Sequence, residues 1–229
     1  MSPPLQWKNF VATDSIIIKG AGGHARVVID CARAQGRTVE CAYDPFNQGE
    51  IYGIPVRKDY SPDDFPKADA VVAIGDNSVR RQVSGEVRHA FTNVIHPSAI
   101  ISSFASIGEG NMILHGAIVQ ASATIGNHVI LNTGSQVDHD CTIGDFVHIA
   151  PGAVLCGNVQ IGEGSFIGTG AIIIPGKKVG AWSIIGAGSV VIDNIPDFVV
   201  AVGNPAKVIK HWKPKEGIED EEWGIRNKE

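Results

Sequence analysis

The sequence is poor in what membranes, export and nucleic acids require. No apolar run in the 229 residues approaches the roughly 20 that a bilayer span needs, and the first residues lack a charged stretch followed by an apolar one. A cytoplasmic protein is expected. Basic residues number 19 against 24 acids, for a formal charge of −5 and a pI near 5.9, which leaves no electrostatic footprint for DNA or RNA. The four cysteines, Cys31, Cys41, Cys141 and Cys156, form neither a CxxC pair nor a zinc-like spacing. They read as reduced core residues, and no metal is expected. Aromatics make up only 7%, yet 44% of residues are hydrophobic and 27 are glycine. The core is therefore aliphatic and broken by repeated turns, in one large or two small domains.

The turns have a period. Stepping by six from Ile95 through Ile101, Ile107, Ile113, Val119, Ile125, Leu131, Val137, Ile143, Ile149, Leu155, Ile161, Ile167, Ile173, Val179 and Ile185 to Val191, every position is aliphatic. Helices need spacings of three and four, and single strands need alternation; neither gives a strict six. A short strand followed by a bend does, with three hexads closing an 18-residue triangular coil and coils stacking as parallel strands. Residues 95–191 make about five coils of this β-helix. The residue two before each aliphatic is usually small, as at Ala99, Ala117, Ser135, Cys141, Ala153 and Ser183, because space near an inward corner is short. Asn111, Val129, Val147, Val159 and Lys177 depart from this, and Lys177 implies a bulge or an exposed corner in its hexad. No hexad is interrupted, so an active site here must be built on coil surfaces. Flat sides of such a prism can pack against copies of the chain.

Ahead of the repeat, Ser15-Ile16-Ile17-Ile18-Lys19 reads as a buried strand, Gly20-Ala21-Gly22-Gly23-His24-Ala25 as a tight loop and residues 26–35 as a helix. Residues 39–43, 70–74 and 92–95 read as further strands, and residues 79–87 as a second helix. Gly20-x-Gly22-x-x-Ala25 with Asp44 following fits the dinucleotide fingerprint, which raises an NAD-dependent enzyme as one reading. About 80 residues are too few for the two halves such a domain needs. Half a Rossmann unit suits a mononucleotide.

The runs Gly20-Ala21-Gly22-Gly23-His24-Ala25-Arg26-Val27-Val28, Tyr43-Asp44, Ala73-Ile74-Gly75-Asp76-Asn77, His96-Pro97-Ser98-Ala99, Asn132-Thr133-Gly134, Asp138-His139-Asp140-Cys141 and Val202-Gly203-Asn204-Pro205-Ala206-Lys207 resemble the bacterial sugar acetyltransferases of the NeuD/PglD/PerB type. The Ile-Gly hexads, such as Ile107-Gly108 and Ile125-Gly126, resemble the wider hexapeptide acyltransferases. This resemblance implies an α/β half-Rossmann domain followed by a left-handed parallel β-helix, divided as a leader (1–14), a nucleotide-sugar domain (15–95), the β-helix (96–196) and a C-terminal segment (197–229). It also implies a homotrimer with active sites between subunits, acetyl-CoA as acyl donor and a nucleotide-linked amino sugar as acceptor.

By motif position, the resemblance sets Gly22, Gly23, His24 and Arg26 at the sugar diphosphate and Asp44 at the base or ribose, and includes Asp76, Asn77 and Asn132 with the substrate. Acetylating an amine with a thioester needs a base near neutrality and donors for the oxyanion. His139, between Asp138 and Asp140, is the candidate base, and a His139–Asp140 dyad is what the family implies. Stacking by 18 puts Gly157 one coil above His139, where a glycine would leave its N–H accessible to a carbonyl. His148 matches a family histidine at the thioester end of the cofactor. Coenzyme A is expected along Thr169 and Ala187, closed by Gly203 and Lys207, with Lys177, Lys178 and Lys207 as phosphate partners. His89, His96, His115, His128 and His211 are read as surface or structural.

The favoured reading is N-acetylation of a nucleotide-linked 4-amino-4,6-dideoxyhexose for surface glycan assembly. O-acetylation of a sugar such as sialic acid uses the same base chemistry. A non-catalytic trimerising scaffold is the reading from another class, and His139 beside Asp140 argues against it.

Overall fold

The computed structural model describes residues 14–212; the acidic run Glu219-Asp220-Glu221-Glu222, Trp223 and nearly all of the expected leader lie outside them. In the first unit, β1 (Ser15–Lys19), β2 (Thr38–Tyr43), β4 (Ile54–Arg57) and β5 (Asp69–Val72) run parallel in the order β4-β2-β1-β5, with β3 (Gly49–Ile51) antiparallel on the β4 edge. Helix α1 (Gly23–Ala34) follows β1 and α2 (Asn77–Ser84) follows β5. Ile16 and Ile18 pack under α1, whereas Ile17 packs with Tyr43, Val72 and Val83 on the other face, as alternation along a strand requires.

Several boundaries differ from the sequence reading. Helix α1 begins at Gly23, because the loop glycines themselves enter the first turn, and α2 begins at Asn77, where Asp76 caps it by accepting the Val79 N–H at 2.9 Å. The β3–β4 hairpin was not anticipated. It turns on Tyr52 and Gly53, both at positive φ (51° and 76°), a two-residue turn that Tyr-Gly advertises weakly. The expected strand 92–95 shrinks to β6 (Val94–Ile95), which pairs with the β-helix and not with the first sheet.

From β6 to β22 (Val190–Val191) a two-residue strand recurs every six residues, and each strand up to Ile172–Ile173 pairs in parallel with the strand 18 residues on. The aliphatic of each strand points to the prism axis, and Ile113, Leu131, Ile149, Leu155 and Ile167 are wholly buried. From Gly110 onward each corner turns on a residue with positive φ, and these too come every six: Gly110, Gly116, Ser122, His128, Gly134, Asp140, Phe146, Gly152, Asn158, Gly164, Gly170, Gly176, Trp182 and Gly188. A second glycine set has another cause. At Gly126, Gly144 and Gly162 an added Cβ would lie 2.5–3.0 Å from backbone atoms of the next coil, so these coils close only on glycine. Lys177 does not bulge its hexad. Its carbonyl accepts the Gln160 N–H at 3.0 Å and β20 (Lys178–Val179) stays in register with β17 (Gln160–Ile161), while the side chain is half-buried.

The three faces differ in what they turn outward. The first shows Val94, Met112, Ile130, His148, Phe166 and Ile184; its lower part, Val94 to Ile130, merges with the core beneath α1. The second shows Ile100, Ile118, Gln136, Val154, Ile172 and Val190, with Ile100 64% and Ile172 40% exposed. The third is polar, with Ser106, Thr124, Thr142, Gln160 and Lys178. A hairpin of β23 (Val199–Gly203) and β24 (Ala206–His211) extends the first face, and Trp212 donates its indole N–H to the Trp182 carbonyl at 2.6 Å.

Backbone conformation at the corners is testable at Gly152, where φ is 66° and an added Cβ meets nothing within 4 Å. Gly152→Asn is expected to unfold in urea within about 0.5 kcal/mol of wild type, and Gly152→Val to lose roughly 1–2 kcal/mol, since only the β-branched residue resists this conformation.

Candidate active site

Two groups of expected residues assemble at different corners of the prism. At the corner between the second and third faces, His139 precedes Asp140, whose φ of 59° folds its carboxylate back along the chain. The Asp140 Oδ2 lies 2.8 Å from His139 Nδ1, and the His139 backbone N–H donates to Asp138 Oδ1 at 2.7 Å. The side chains of His139 and Asp140 are each 60% exposed. The hydrogen bond to Asp140, with the Asp138 charge behind it, raises the imidazole pKa above its ordinary value. With Nδ1–H held by the carboxylate, Nε2 is left open to accept a proton.

Gly157 stacks on this ring as the 18-residue period requires. A Cβ there would lie 2.5 Å from His139 Cε1 and 2.6 Å from Nε2, so glycine is needed to seat the imidazole. Gly157 is buried beneath the ring, unlike the open position expected from sequence; its carbonyl accepts the Gly176 N–H, and its own N–H meets no acceptor among the described residues.

The second group lies where the first domain meets the first face. Gly22 and Gly23 are exposed at the start of α1, with no side-chain cap and no acid in the first turn, an arrangement open to an anion. Arg26 is exposed one turn along α1. Asp44, expected at the base or ribose, is buried: its Oδ2 accepts from Ala21 N–H and its Oδ1 from Phe46 and Asn47 N–H, at 2.8–2.9 Å. Asp44 thus latches the glycine loop. Asp76 caps α2, and Asn77 donates to the carbonyls of Gly164 and Ser165 at 3.0 and 3.2 Å, so both are engaged within the protein.

His148 faces outward beneath this loop. Its Nε2 takes a hydrogen bond from Asn132 Nδ2 at 3.1 Å and its Nδ1 faces the Gly75 carbonyl at 3.3 Å, which assigns a neutral ring with the proton on Nδ1. Burial, then the Arg80 charge, pushes His148 down to about 3 and the neighbouring His24 to about 4. The His24 Nε2 is buried without a partner. Alongside, the corner between the first and second faces carries exposed Thr169 and Ala187, one coil apart, whose N–H groups meet no acceptor among the described residues. Gly203 joins its upper end by donating to Ser189 Oγ at 3.0 Å, and Lys207 pairs with Asp193 at 3.7 Å. The whole second face separates this corner from His139.

Sequence reasoning missed Arg80, which is wholly buried, and the corner stack of Phe91, His128 and Phe146 beside it. The Asn77-x-x-Arg80 spacing on one helical face was the available signal. Of the remaining histidines, His96 and His115 stack at 3.7 Å with His115 against Asp30, and His89 bonds Tyr60. Among the described residues no group of side chains could hold a metal.

Residues 15–87 match the PglD N-terminal domain family, and residues 122–157 the bacterial transferase hexapeptide (six repeats) family. A mutant of perosamine N-acetyltransferase from Caulobacter crescentus, solved with CoA and GDP-perosamine, is 39% identical with a TM-score of 0.83, over 87% of this chain and 98% of that one. The chain belongs to the hexapeptide-repeat sugar acetyltransferases of the NeuD/PglD/PerB type. Another such acetyltransferase, the domain of PglB from Neisseria gonorrhoeae FA1090 solved with acetyl coenzyme A, is 39% identical with a TM-score of 0.81, over 86% and 99% of the two chains. UDP-N-acetylbacillosamine N-acetyltransferase of Bacillus subtilis is 42% identical over 110 residues, 44% of this chain; the chain spans about half, 51%, of that curated relative.

The neutral histidines of this acetyltransferase give its stability a pH dependence. His24, His128 and His148 titrate near 6.5 when unfolded but at about 4, about 4 and about 3 when folded. The unfolded chain therefore holds more protons between these values. Stability is full above the unfolded pKa and falls as the pH drops toward the folded ones, by at most about 1.4 kcal/mol per pH unit per histidine. Urea midpoints should decline from about pH 6.5 to about pH 4.5; a flat profile would show that these rings are not buried neutral.

Proposed function

We propose that this chain transfers the acetyl group of acetyl-CoA to the amine of a nucleotide-linked 4-amino-4,6-dideoxy sugar, in the cytoplasm, for surface glycan assembly. The observation that carries this reading is the His139–Asp140 pair, with Nε2 open above Gly157. The sugar amine attacks the thioester carbonyl while His139 Nε2 takes its proton, and Asp140 stabilises the imidazolium that results. The Gly157 N–H is the donor we assign to the oxyanion. As the tetrahedral intermediate collapses, the C–S bond breaks and the imidazolium returns its proton to the departing thiolate of CoA.

For the donor, the unpaired N–H groups at Thr169 and Ala187 suit the amide arm of coenzyme A, with Gly203 and Lys207 at its far end, Lys177 and Lys178 as further phosphate partners and His148 toward the thioester. For the acceptor, the glycine loop with His24 and Arg26 suits a diphosphate, and Asn132 lies close by; Asp44, Asp76 and Asn77 support the site by holding its loops. Relatives named as N-acetyltransferases favour an amine over a hydroxyl acceptor. No helix among the described residues is long and apolar enough to cross a membrane.

The working unit in this reading is a homotrimer. The second face is apolar and uncovered, and it is bordered by His139 on one edge and by Thr169 and Ala187 on the other. Packing it against neighbouring copies joins the base of one chain to the cofactor groove of another.

Thiol release from acetyl-CoA, measured with a panel of UDP-, GDP- and dTDP-linked amino sugars, tests the reading. At least one 4-amino sugar should be turned over to an acetamide identified by mass, and His139→Asn should lower kcat about 10²–10⁴-fold. Full activity in that variant, or turnover of hydroxyl acceptors alone, contradicts it.

A further inference from the structure

Arg80 is the largest side chain in the described protein with no solvent exposure, and no carboxylate bonds to it. All of its hydrogen-bonding reach goes to backbone and amide oxygens. Nε donates to the His128 carbonyl at 2.8 Å and Nη2 to the Phe146 carbonyl at 2.7 Å. Nη2 also meets Asn77 Oδ1 at 2.8 Å. Nη1 donates to the Ile74 carbonyl at 2.9 Å and lies 3.3 and 3.4 Å from those of Gly75 and Asp76. Asn77, one helical turn away, reaches the Gly164 carbonyl.

His128, Phe146 and Gly164 are 18 residues apart in turn, the same corner of three successive coils. Arg80 and Asn77 therefore read three consecutive rungs of the β-helix. The other end of the grip is the Ile74-Gly75-Asp76 loop at the carboxyl end of β5, beside the glycine loop: a Cβ added at Gly75 would lie 4.0 Å from His24 Cβ, and the Gly75 carbonyl faces His148 Nδ1.

Burying a cation that no carboxylate bonds is costly before its hydrogen bonds are counted, and apolar side chains would glue the two surfaces more cheaply. Apolar packing, however, has no direction along a stack of similar coils. A planar guanidinium with five fixed donors has one.

We infer that Arg80, with Asn77, is a positioning residue for acyl transfer: it fixes the height at which the first domain sits on the β-helix, and with it the position of the sugar amine relative to the acetyl donor. The inference rests on the function proposed above. Reacting atoms must be held to within fractions of an ångström, and a misplacement of about 1 Å costs on the order of 10²-fold in rate while each substrate still binds. The signature is therefore in kcat and not in KM. Protonation enters secondarily: the Arg80 charge faces His24, His128 and His148, with Asp76 and Asp145 as the acids nearby, and helps keep those rings neutral.

The test uses the full chain with Arg80→Lys, Arg80→Met and Asn77→Ala. Folded Arg80→Met should lose at least about tenfold in kcat with KM for both substrates within about threefold. Arg80→Lys should recover part of the loss, and Asn77→Ala, which keeps the guanidinium, should show the same split more weakly and stands in if Arg80→Met does not fold. A kcat within twofold of wild type in folded Arg80→Met or, failing that, Asn77→Ala overturns the inference, as does a loss that appears only in KM. A second readout needs no activity: spin labels on unnatural residues at exposed Glu50 and Gln160, in chains diluted with unlabelled protein. Their distance distribution should be narrow in wild type and at least about twice as broad in the variants. Unchanged width overturns the inference whatever the enzyme acetylates, whereas broadening in a protein that turns over no amino sugar overturns only the proposed function.

Discussion

From Gly110 to Gly188 the corners of the β-helix depend on one backbone constraint, a residue held at positive φ once in each hexad. The constraint turns a two-residue strand through the angle a triangular coil needs, and the N–H of that residue then bonds the coil below, as when Asp140 donates to Ala121 and Asn158 to His139. Because the pattern never slips, residues 18 apart lie directly over one another. One corner that is not glycine carries the partner of the candidate base. Asp140 takes up the left-handed conformation at a cost that Asp and Asn bear better than other side chains, and its carboxylate consequently meets the imidazole of the residue before it. On a regular strand adjacent side chains diverge; here they form a dyad.

The same stacking divides the prism by chemistry. One face is covered where the first domain and α1 rest on Met112 and Ile130, one is polar, and one is apolar and bare. Protonation follows the division. His139 is exposed beside two acids and is pushed up; His24, His128 and His148 are enclosed around Arg80 and pushed down. One chain thus carries a basic imidazole at one corner and neutral imidazoles at the domain junction.

Much of the β-helix was legible because its signal is a period, and a period of six over residues 95–191 has no competing explanation. The stacking of Gly157 on His139 followed from arithmetic alone, though not the reason for it, since the glycine makes room for a ring that then covers it. Less was legible where the residue type misleads. The glycines that follow the aliphatics, such as Gly126, draw the eye, yet they serve close coil approach, and the turns rest on the positions two further along. Asp44 carries the signature of a ribose ligand and instead ties down a loop, because Ala21, Phe46 and Asn47 present backbone donors that only the folded chain brings to it. Arg80 on a short amphipathic helix reads as a solvated residue. Its spacing from Asn77 marks a shared helical face, but the carbonyls that bury it come from 48 and 66 residues further along the chain.

In the proposed homotrimer the base of one chain serves the substrates held by its neighbour. Mixed oligomers of two defective chains test it directly. His139→Asn lacks the base, and Gly23→Glu, at an exposed position with open space around it, sets a carboxylate among the α1 N-terminal donors and repels a diphosphate. Co-expressed in equal amounts and verified as mixed by mass, the two should regain about a quarter of wild-type turnover, since an intact loop then adjoins an intact base in about one pairing in four. Mixed oligomers as inactive as either parent would contradict the account and return the whole site to a single chain.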